Sequence, residues 1–270
     1  MLEKKSGFVF CDAHFHLVRC ADFQNLSDMT AAFSGDDVFF GCTCAHDREE
    51  YETQKKMCAQ FSSCKNIRLM KAFGMHPQLP LVENADFLEK LLSDGELDAV
   101  GEAGFDVYTQ EFRENSPAQE EAWRIQIALA AEYGKPLVVH CRKALQRIFR
   151  DSALLRKIRA VLFHSFCGGM HEAEGILGKG INAYFSFCKQ IIGGNKKSMD
   201  CVKNLPSGRL LLETDAPFQT LKGEQFTSPS EIRRVYQAAY TLRREKEPLL
   251  TENEFSAALQ RNFQNVFGLP

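Results

Sequence analysis

Short apolar stretches alternate with longer amphipathic stretches along this chain. The apolar stretches are rich in β-branched and aromatic residues, and they predict eight strands, at residues 7–12, 37–44, 67–73, 98–102, 136–140, 160–164, 181–187 and 209–214. Between and after them, apolar residues recur at helical spacing and predict helices at residues 48–60, 86–92, 117–133, 144–155, 196–203, 229–247 and 251–267. Strands and helices therefore alternate along the sequence.

This alternation has no linker or low-complexity break, which favours a single α/β domain over residues 1–270. Eight strands alternating with helices predict a (β/α)8 TIM barrel with an extra C-terminal helix. A doubly wound open sheet is the alternative. No Gly-x-Gly-x-x-Gly pattern follows an early strand, so the sequence does not favour a dinucleotide-binding version of that sheet.

Composition narrows the class of protein. Of the 270 residues, 44% are hydrophobic and 25% are charged, as in ordinary globular proteins. No apolar run reaches the roughly 18 residues that a membrane span needs, and the first residues lack the apolar core of a signal peptide. The net charge of −2 argues against a protein that coats nucleic acid without specificity. Ten scattered cysteines without a C-x-x-C pair are expected to be reduced, as in a cytoplasmic protein.

The first predicted strand ends in Asp12, His14 and His16. Side chains two residues apart on a strand point to the same side, so the two imidazoles are aimed at a common point. This is the geometry of a metal-binding pair. The alternative is a pair of histidines that hydrogen-bond within the core.

Polar residues end most of the other predicted strands as well. In a TIM barrel, the C-terminal ends of the strands meet at one mouth, and catalytic groups lie there. The side chains expected at this mouth are His14, His16, His76, Glu102, Asp106, His140, Arg142, His164, Glu213 and Asp215. Burying so many polar groups is unfavourable unless something compensates them, and a pair of divalent metal ions would do so.

The types of ligand narrow the chemistry further. Imidazoles mixed with carboxylates suit Mg, Mn, Zn, Co or Ni rather than an ion that prefers thiolates. Four imidazoles and two carboxylates, a subset of these side chains, are already too many for one tetrahedral ion, but they suit two ions that share a carboxylate. Two ions roughly 3.5–4 Å apart activate water near neutral pH and stabilise phosphoryl oxygens. We therefore expect two divalent cations and a hydrolase.

Six ordered motifs resemble the TatD family of metal-dependent deoxyribonucleases, within the amidohydrolase-like TIM barrel superfamily. The motifs are DAHFHL at 12–17, GMHP at 74–77, GEAGFD at 101–106, VHCRKA at 139–144, HSFCGG at 164–169 and ETDAP at 213–217. The resemblance spans about residues 8–268. It implies a TatD-like metal-dependent hydrolase barrel with a two-metal site.

The resemblance also implies roles for individual residues. It implies six metal ligands in two groups: His14, His16 and Asp215 for one ion, His140 and His164 for the other, and Glu102 as the bridge. Asp215, Glu102 and Glu213 would be the catalytic carboxylates, with Asp215 orienting or deprotonating the attacking water. For Glu213, a purely structural role is an equal alternative.

Other residues of these motifs have two interpretations each. His76 and Arg142 could bind a substrate phosphate, but His76 could instead be a structural loop histidine and Arg142 the partner of a barrel carboxylate. Asp106 is expected to be a loop residue or a support for a ligand. Phe166 and the aromatic segment 184–187 could stack bases, although core packing is favoured.

The chain departs from the family after the seventh and eighth strands. Ser186-Phe187-Cys188-Lys189 replaces a Ser-Phe-Ser-Gly-like turn, and the segment 225–229 lacks the usual arginine. Those loops are expected to contact substrate, so the departures concern the substrate more than the chemistry.

The function expected from the sequence is two-metal hydrolysis of phosphodiester bonds in DNA, from single-stranded or frayed 3′ ends. DNA is the expected partner, with no membrane association, and the protein is expected to be a monomer. An alternative keeps the metals but hydrolyses an amide or ester, as other amidohydrolase-like barrels or aminoacyl-tRNA-editing enzymes do. A non-catalytic metalloprotein is disfavoured because every proposed ligand is present.

Overall fold

The computed structural model describes residues 7–31 and 36–269. Eight strands form one sheet: β1 (Val9–Phe15), β2 (Val38–Ala45), β3 (Ile67–Phe73), β4 (Ala99–Asp106), β5 (Leu137–Arg142), β6 (Val161–Phe163), β7 (Ala183–Phe187) and β8 (Leu210–Leu212). Each strand pairs in parallel with the next along the chain. The backbone N–H of Asp215 donates to the carbonyl of His14 at 3.0 Å, which joins the segment after β8 to β1. The predicted TIM barrel is confirmed.

Twelve helices occur among the described residues. They are α1 (Leu17–Cys20), α2 (Leu26–Ala31), α3 (Arg48–Gln60), α4 (Ala85–Ser93), α5 (Gln110–Glu114), α6 (Ser116–Glu132), α7 (Leu145–Arg150), α8 (Ser152–Leu155), α9 (Met170–Gly178), α10 (Lys196–Asn204), α11 (Ile232–Arg244) and α12 (Glu252–Phe267). The sequence pattern did not predict α1, α2, α5 or α9.

Two predicted helices differ from the structure. The stretch 144–155 is divided into α7 and α8 at Asp151, whose carboxylate accepts a hydrogen bond from the indole N–H of Trp123 at 3.0 Å. The stretch 229–247 begins with a single 3-10 turn, Pro229–Glu231, and only then becomes α11.

The C-terminal helix closes one end of the barrel. Phe263, Val266 and Phe267 of α12 pack into the cluster formed by the barrel interior. The hydroxyl of Ser256 donates to the carbonyl of Val9, at the beginning of β1. Since this helix covers the beginnings of the strands, the opposite end, where the strands finish, is left for a site.

No helix among the described residues is long and apolar enough to cross a membrane. All ten cysteines are free, and six of them are buried.

Candidate metal centre

The ends of the strands surround a cavity of about 620 Å³. Seven of the residues predicted for the site line it: His16, His76, Glu102, His140, Arg142, His164 and Asp215. Three others, His14, Asp106 and Glu213, are fully buried behind these residues. The structure therefore brings together the side chains that the sequence placed at separate strand ends.

A first group of ligand atoms converges around His14 and His16. Their Nε2 atoms are 3.1 Å apart, and they lie 3.6 and 3.4 Å from Oδ1 of Asp215. Oε1 of Glu102 lies 3.3 Å from Nε2 of His14. Ligand atoms about 2.0–2.1 Å from a tetrahedral ion are roughly 3.3–3.4 Å from one another, so these separations fit one ion.

A second group shares the same glutamate. Oε2 of Glu102 lies 2.6 Å from Nε2 of His164 and 3.3 Å from Nδ1 of His140, and the two imidazole nitrogens are 3.2 Å apart. Thus each oxygen of one carboxylate faces a different pair of histidines.

The backbone is irregular where it presents these ligands. The pairing of β1 with β2 shifts register between Asp12 and Phe15, on either side of His14, and the pairing of β4 with β5 shifts between Val100 and Ala103, on either side of Glu102. Such bulges redirect side chains and are common beside active sites. Asp215 has φ of 54°, a conformation that non-glycine residues rarely adopt and that often occurs at functional sites.

Asp106 orients His140. Its Oδ2 lies 3.2 Å from Nε2 of His140 and accepts a hydrogen bond from Gln78 at 2.8 Å. Although burial by itself raises it, these hydrogen bonds hold the pKa of Asp106 at about 2. The carboxylate therefore keeps the proton of His140 on Nε2 and leaves Nδ1 to face Glu102, which is the usual arrangement behind a metal-binding histidine.

Glu213 lies behind His164 instead of lining the cavity. Its carboxylate accepts hydrogen bonds from the backbone N–H of Ser165 at 2.6 Å and from the hydroxyl of Ser186, and it approaches Nδ1 of His164 to 3.8 Å. This position favours the structural alternative for Glu213. Asp12 likewise faces away from the cluster, since it binds the backbone and hydroxyl of Thr214.

Glu102 is the electrostatic centre of the site. Six of the seven histidines of the chain have a nitrogen within 3.6 Å of its carboxylate. Burial by itself raises the pKa of Glu102, but the imidazoles hold it well below its usual value. Burial lowers the pKa of His164, but Glu102 more than offsets this and raises it well above the ordinary value. Buried imidazoles around shared carboxylates are a donor set that fits divalent cations.

His76 is arranged as a hydrogen-bond donor. Its Nδ1 accepts the backbone N–H of Gln78 at 3.1 Å, so the neutral ring carries its proton on Nε2. Burial lowers the pKa of His76 to about 3, which keeps the ring neutral. The Nε2–H group points into the cavity, 3.5 Å from Glu102. A donor there suits a substrate oxygen better than a metal ion.

Arg142 lines the cavity with its guanidinium stacked on the ring of Tyr108, with Cζ 3.7 Å from the ring centroid. Among the described residues, no carboxylate lies within ion-pair distance of it, so the alternative of a barrel ion pair for Arg142 is not observed.

Sequence analysis missed His46. This residue follows β2, lines the cavity, and places Nε2 2.9 Å from Oε1 of Glu102. Its backbone N–H donates to Glu50, whose carboxylate also contacts Arg19 at 2.9 Å. Its position just after an apolar strand is the same signal that identified the other histidines, and it was available in the sequence.

The structure agrees with core packing, the favoured interpretation of Phe166 and the segment 184–187, and it places the divergent loops away from the cavity. Phe166 and the aromatic residues of 184–187 are buried in the core and cannot stack bases from solution. The two divergent loops do not line the cavity. Instead they bind each other, because Lys189 is completely buried and its ammonium contacts Glu224, the hydroxyl of Thr227 at 3.1 Å and Glu231 at 2.9 Å.

The fold and this cluster together define an amidohydrolase-like TIM barrel with ligands for divalent metal ions at its mouth. A sequence profile of the TatD-related DNase family matches residues 11–268. The chain belongs to the TatD family of metal-dependent hydrolases and DNases.

Individual relatives agree with this family. A 3'-5' ssDNA/RNA exonuclease TatD from Edwardsiella piscicida is 37% identical over 138 residues, which cover 48% of this chain. The chain spans about half (50%) of the length of that exonuclease. An uncharacterized metal-dependent hydrolase, YjjV from Escherichia coli K12, is 29% identical over 218 residues, covering 75% of this chain and 78% of YjjV.

Solved structures match nearly the whole chain. The crystal structure of YjjV superimposes with a TM-score of 0.76 at 25% identity and covers 97% of this chain and 98% of YjjV. A TatD family hydrolase from Entamoeba histolytica has a TM-score of 0.79 at 18% identity, covering 98% of this chain and 99% of that one, which supports the fold alone.

Proposed function

We propose that this protein is a two-metal phosphodiesterase that hydrolyses DNA from single-stranded or frayed 3′ ends. The observation that carries the proposal is the position of Glu102, whose two oxygens face two different groups of ligand atoms. The exonuclease activity named for the relative from Edwardsiella piscicida supports the choice of substrate.

In this proposal, His14, His16 and Asp215 would hold one ion and His140 and His164 the other, with Glu102 shared between the two. A bound pair of divalent ions lowers the pKa of water and stabilises negative charge on phosphate oxygens. The protein supplies a dry, preformed cluster, because Glu102 is only 1% exposed and His14 is fully buried.

The residues of the chain position the substrate and the water. Burial by itself raises the pKa of Asp215, but its hydrogen bond to His16 and the neighbouring imidazoles hold it at about 2. Asp215 therefore remains an anion that can accept a hydrogen bond from the attacking water. His76 donates to a phosphate oxygen through Nε2, and Arg142 adds a positive charge at the wall of the cavity.

The test begins with metal-stripped protein. It is reconstituted with Mg, Mn, Zn, Co or Ni and incubated with single-stranded DNA, duplex DNA and RNA, each labelled at the 5′ or the 3′ end, and with amide and ester substrates. We expect metal-dependent shortening of single-stranded DNA from the 3′ end. Cleavage of amides or esters without cleavage of nucleic acid would overturn the proposal.

Two variants distinguish the loss of a metal ligand from a general effect of changing the cavity lining. Glu102→Gln should abolish the activity. Asp47→Asn is the control, because Asp47 lines the same cavity but caps α3 by accepting the backbone N–H of Glu50 at 2.8 Å, which asparagine does equally well.

A further inference from the structure

Phe218 is an exposed aromatic residue beside the metal centre. Its side chain lines the cavity and is 51% exposed. The centroid of its ring lies 5.1 Å from that of His16, with the two planes at 74°. The ring is therefore a large apolar surface that a ligand entering this cavity can contact.

The backbone holds Phe218 in place. Its N–H donates to the carbonyl of Asp215 at 2.8 Å, and the carbonyl of Ala216 accepts the N–H of His16 at 2.8 Å. One residue before the phenylalanine, the carbonyl of Pro217 accepts the N–H of Thr227 at 2.9 Å. Phe218 therefore lies in a turn that is hydrogen-bonded to His16, directly after β1, and to Thr227 in the loop after β8.

Other residues of the cavity suit the phosphate groups of a nucleotide. Arg142 and Arg19 both line the cavity, although Arg19 is paired with Glu50 at 2.9 Å, and His76 offers an N–H donor. An aromatic face combined with cations is how proteins bind single-stranded nucleic acid, with bases stacked on rings and phosphates beside the charges. A simple ester or amide would need neither the exposed ring nor the guanidinium of Arg142.

We propose that Phe218 is the stacking platform for the base of the 3′-terminal nucleotide, beside the scissile phosphate, and that it makes the enzyme specific for an unpaired strand end. This inference rests on the proposed phosphodiesterase function and adds a residue that determines the substrate. Most of the ligands that line the cavity are buried, so a phosphate that reaches them brings its own nucleotide into the cavity. A base that is stacked on Phe218 has left its duplex partner.

The test compares two oligonucleotides of the same length, one with a natural 3′-terminal nucleotide and one in which that nucleotide is abasic. Kinetics are measured for the wild type, Phe218→Ala, Phe218→Trp and Phe23→Ala. Phe23 is the matched control: it is 50% exposed, lies outside the cavity lining and stacks on Phe226.

On the natural oligonucleotide, Phe218→Ala should raise KM by about 5- to 160-fold, the value expected when one base loses its stacking partner, with little change in kcat. On the abasic oligonucleotide, the same variant should match the wild type. Phe218→Trp should restore the natural KM, and Phe23→Ala should behave as the wild type on both.

The outcomes separate this inference from the function on which it rests. If the wild type cleaves the natural oligonucleotide and Phe218→Ala does so with unchanged KM, the platform is wrong and the phosphodiesterase proposal stands. An equal loss on the abasic oligonucleotide would also overturn the platform, since it would show that Phe218 only supports His16. A wild type that cleaves no nucleic acid with any metal would overturn both.

Discussion

Replacing Asp106 by asparagine tests how the second ion site is built. The carboxylate of Asp106 accepts hydrogen bonds on both oxygens: Oδ1 from the backbone N–H of Tyr108 at 2.9 Å, and Oδ2 from Gln78 at 2.8 Å, with Nε2 of His140 at 3.2 Å. Asparagine has the same shape but only one accepting oxygen. The amide of the new side chain can adopt two orientations, and each of them leaves an unfavourable contact.

In the first orientation, the amide NH2 group of the new side chain meets the N–H of Tyr108, and two donors face each other. In the second, the NH2 group meets Nε2 of His140, which must then release its proton to Nδ1. Nδ1 is the atom that faces Glu102 and His164, so a proton there blocks a metal bond. An unsatisfied buried donor costs about 1–3 kcal/mol of folding free energy.

The expected result is a lower affinity for the second ion, by about 10- to 100-fold, as for other partners of metal-binding histidines. Calorimetric titration of the metal-stripped protein measures this affinity, and the rate of DNA cleavage at increasing metal concentration should show the same shift. Asp47→Asn is the matched control in the same cavity. If Asp106→Asn binds both ions as tightly as the control does, the orienting role of Asp106 is refuted.

The same variant has a consequence for acid stability. Burial alone raises the pKa of Asp106, but its hydrogen bonds lower it to about 2, below the value of about 3.9 in unfolded chains. A carboxyl group whose pKa is lower in the folded protein stabilises the fold at pH values above its pKa in the unfolded chain. This stabilisation is lost as the pH falls from about 4 through 2. The metal-free Asn variant should therefore lose less stability than the wild type between pH 4 and 2, as measured by urea unfolding.

Three further predictions follow from other parts of the molecule. Glu102→Gln should destabilise the metal-free protein below about pH 6.5, because protonated His164 loses its anionic partner. The difference in stability from the wild type should disappear as the pH rises through the raised pKa of His164. Thermal unfolding that shows no such pH dependence would contradict this prediction. Lys189→Met should lower Tm by about 5 °C or more, because it removes the buried ammonium that joins the two divergent loops. Lys203→Met, which removes only an exposed ion pair, should lower Tm by much less. Equal shifts in Tm would refute the role of Lys189. Thiol titration of denatured, unreduced protein should count ten thiols, with exposed Cys167 reacting first in the native state, and a count of eight or fewer would indicate a disulfide.

Much of the site could be predicted from the sequence because of one geometric rule. Parallel strands in a barrel finish at the same mouth, so a histidine or carboxylate at the end of an apolar strand is brought to a common point wherever it lies in the chain. His14, Glu102 and His164 are far apart in sequence, yet His14 lies one residue before the end of β1, Glu102 lies within β4 and His164 directly follows β6. The spacing of the strands was therefore sufficient to predict both the fold and the convergence of these residues.

The tertiary structure decided which polar residues support others and which face the cavity. Glu213 and Asp215 are two residues apart, but only Asp215 lines the cavity, because its positive φ redirects the chain after β8. Asp106 was expected to be a loop residue or a support for a ligand, and its contact with His140, which favours the second alternative, depends on the pairing of β4 with β5.

The structure also decided the exposure of the aromatic residues and the partners of the divergent loops. Phe166 belongs to a motif at a strand end and Phe218 directly follows another, yet Phe166 is buried in the core and Phe218 is half exposed. Lys189 finds its carboxylates 35 and 42 residues later in the chain. The spacing within a motif determines the direction of a side chain along its own strand, whereas burial and ion pairing depend on what the rest of the barrel places against it.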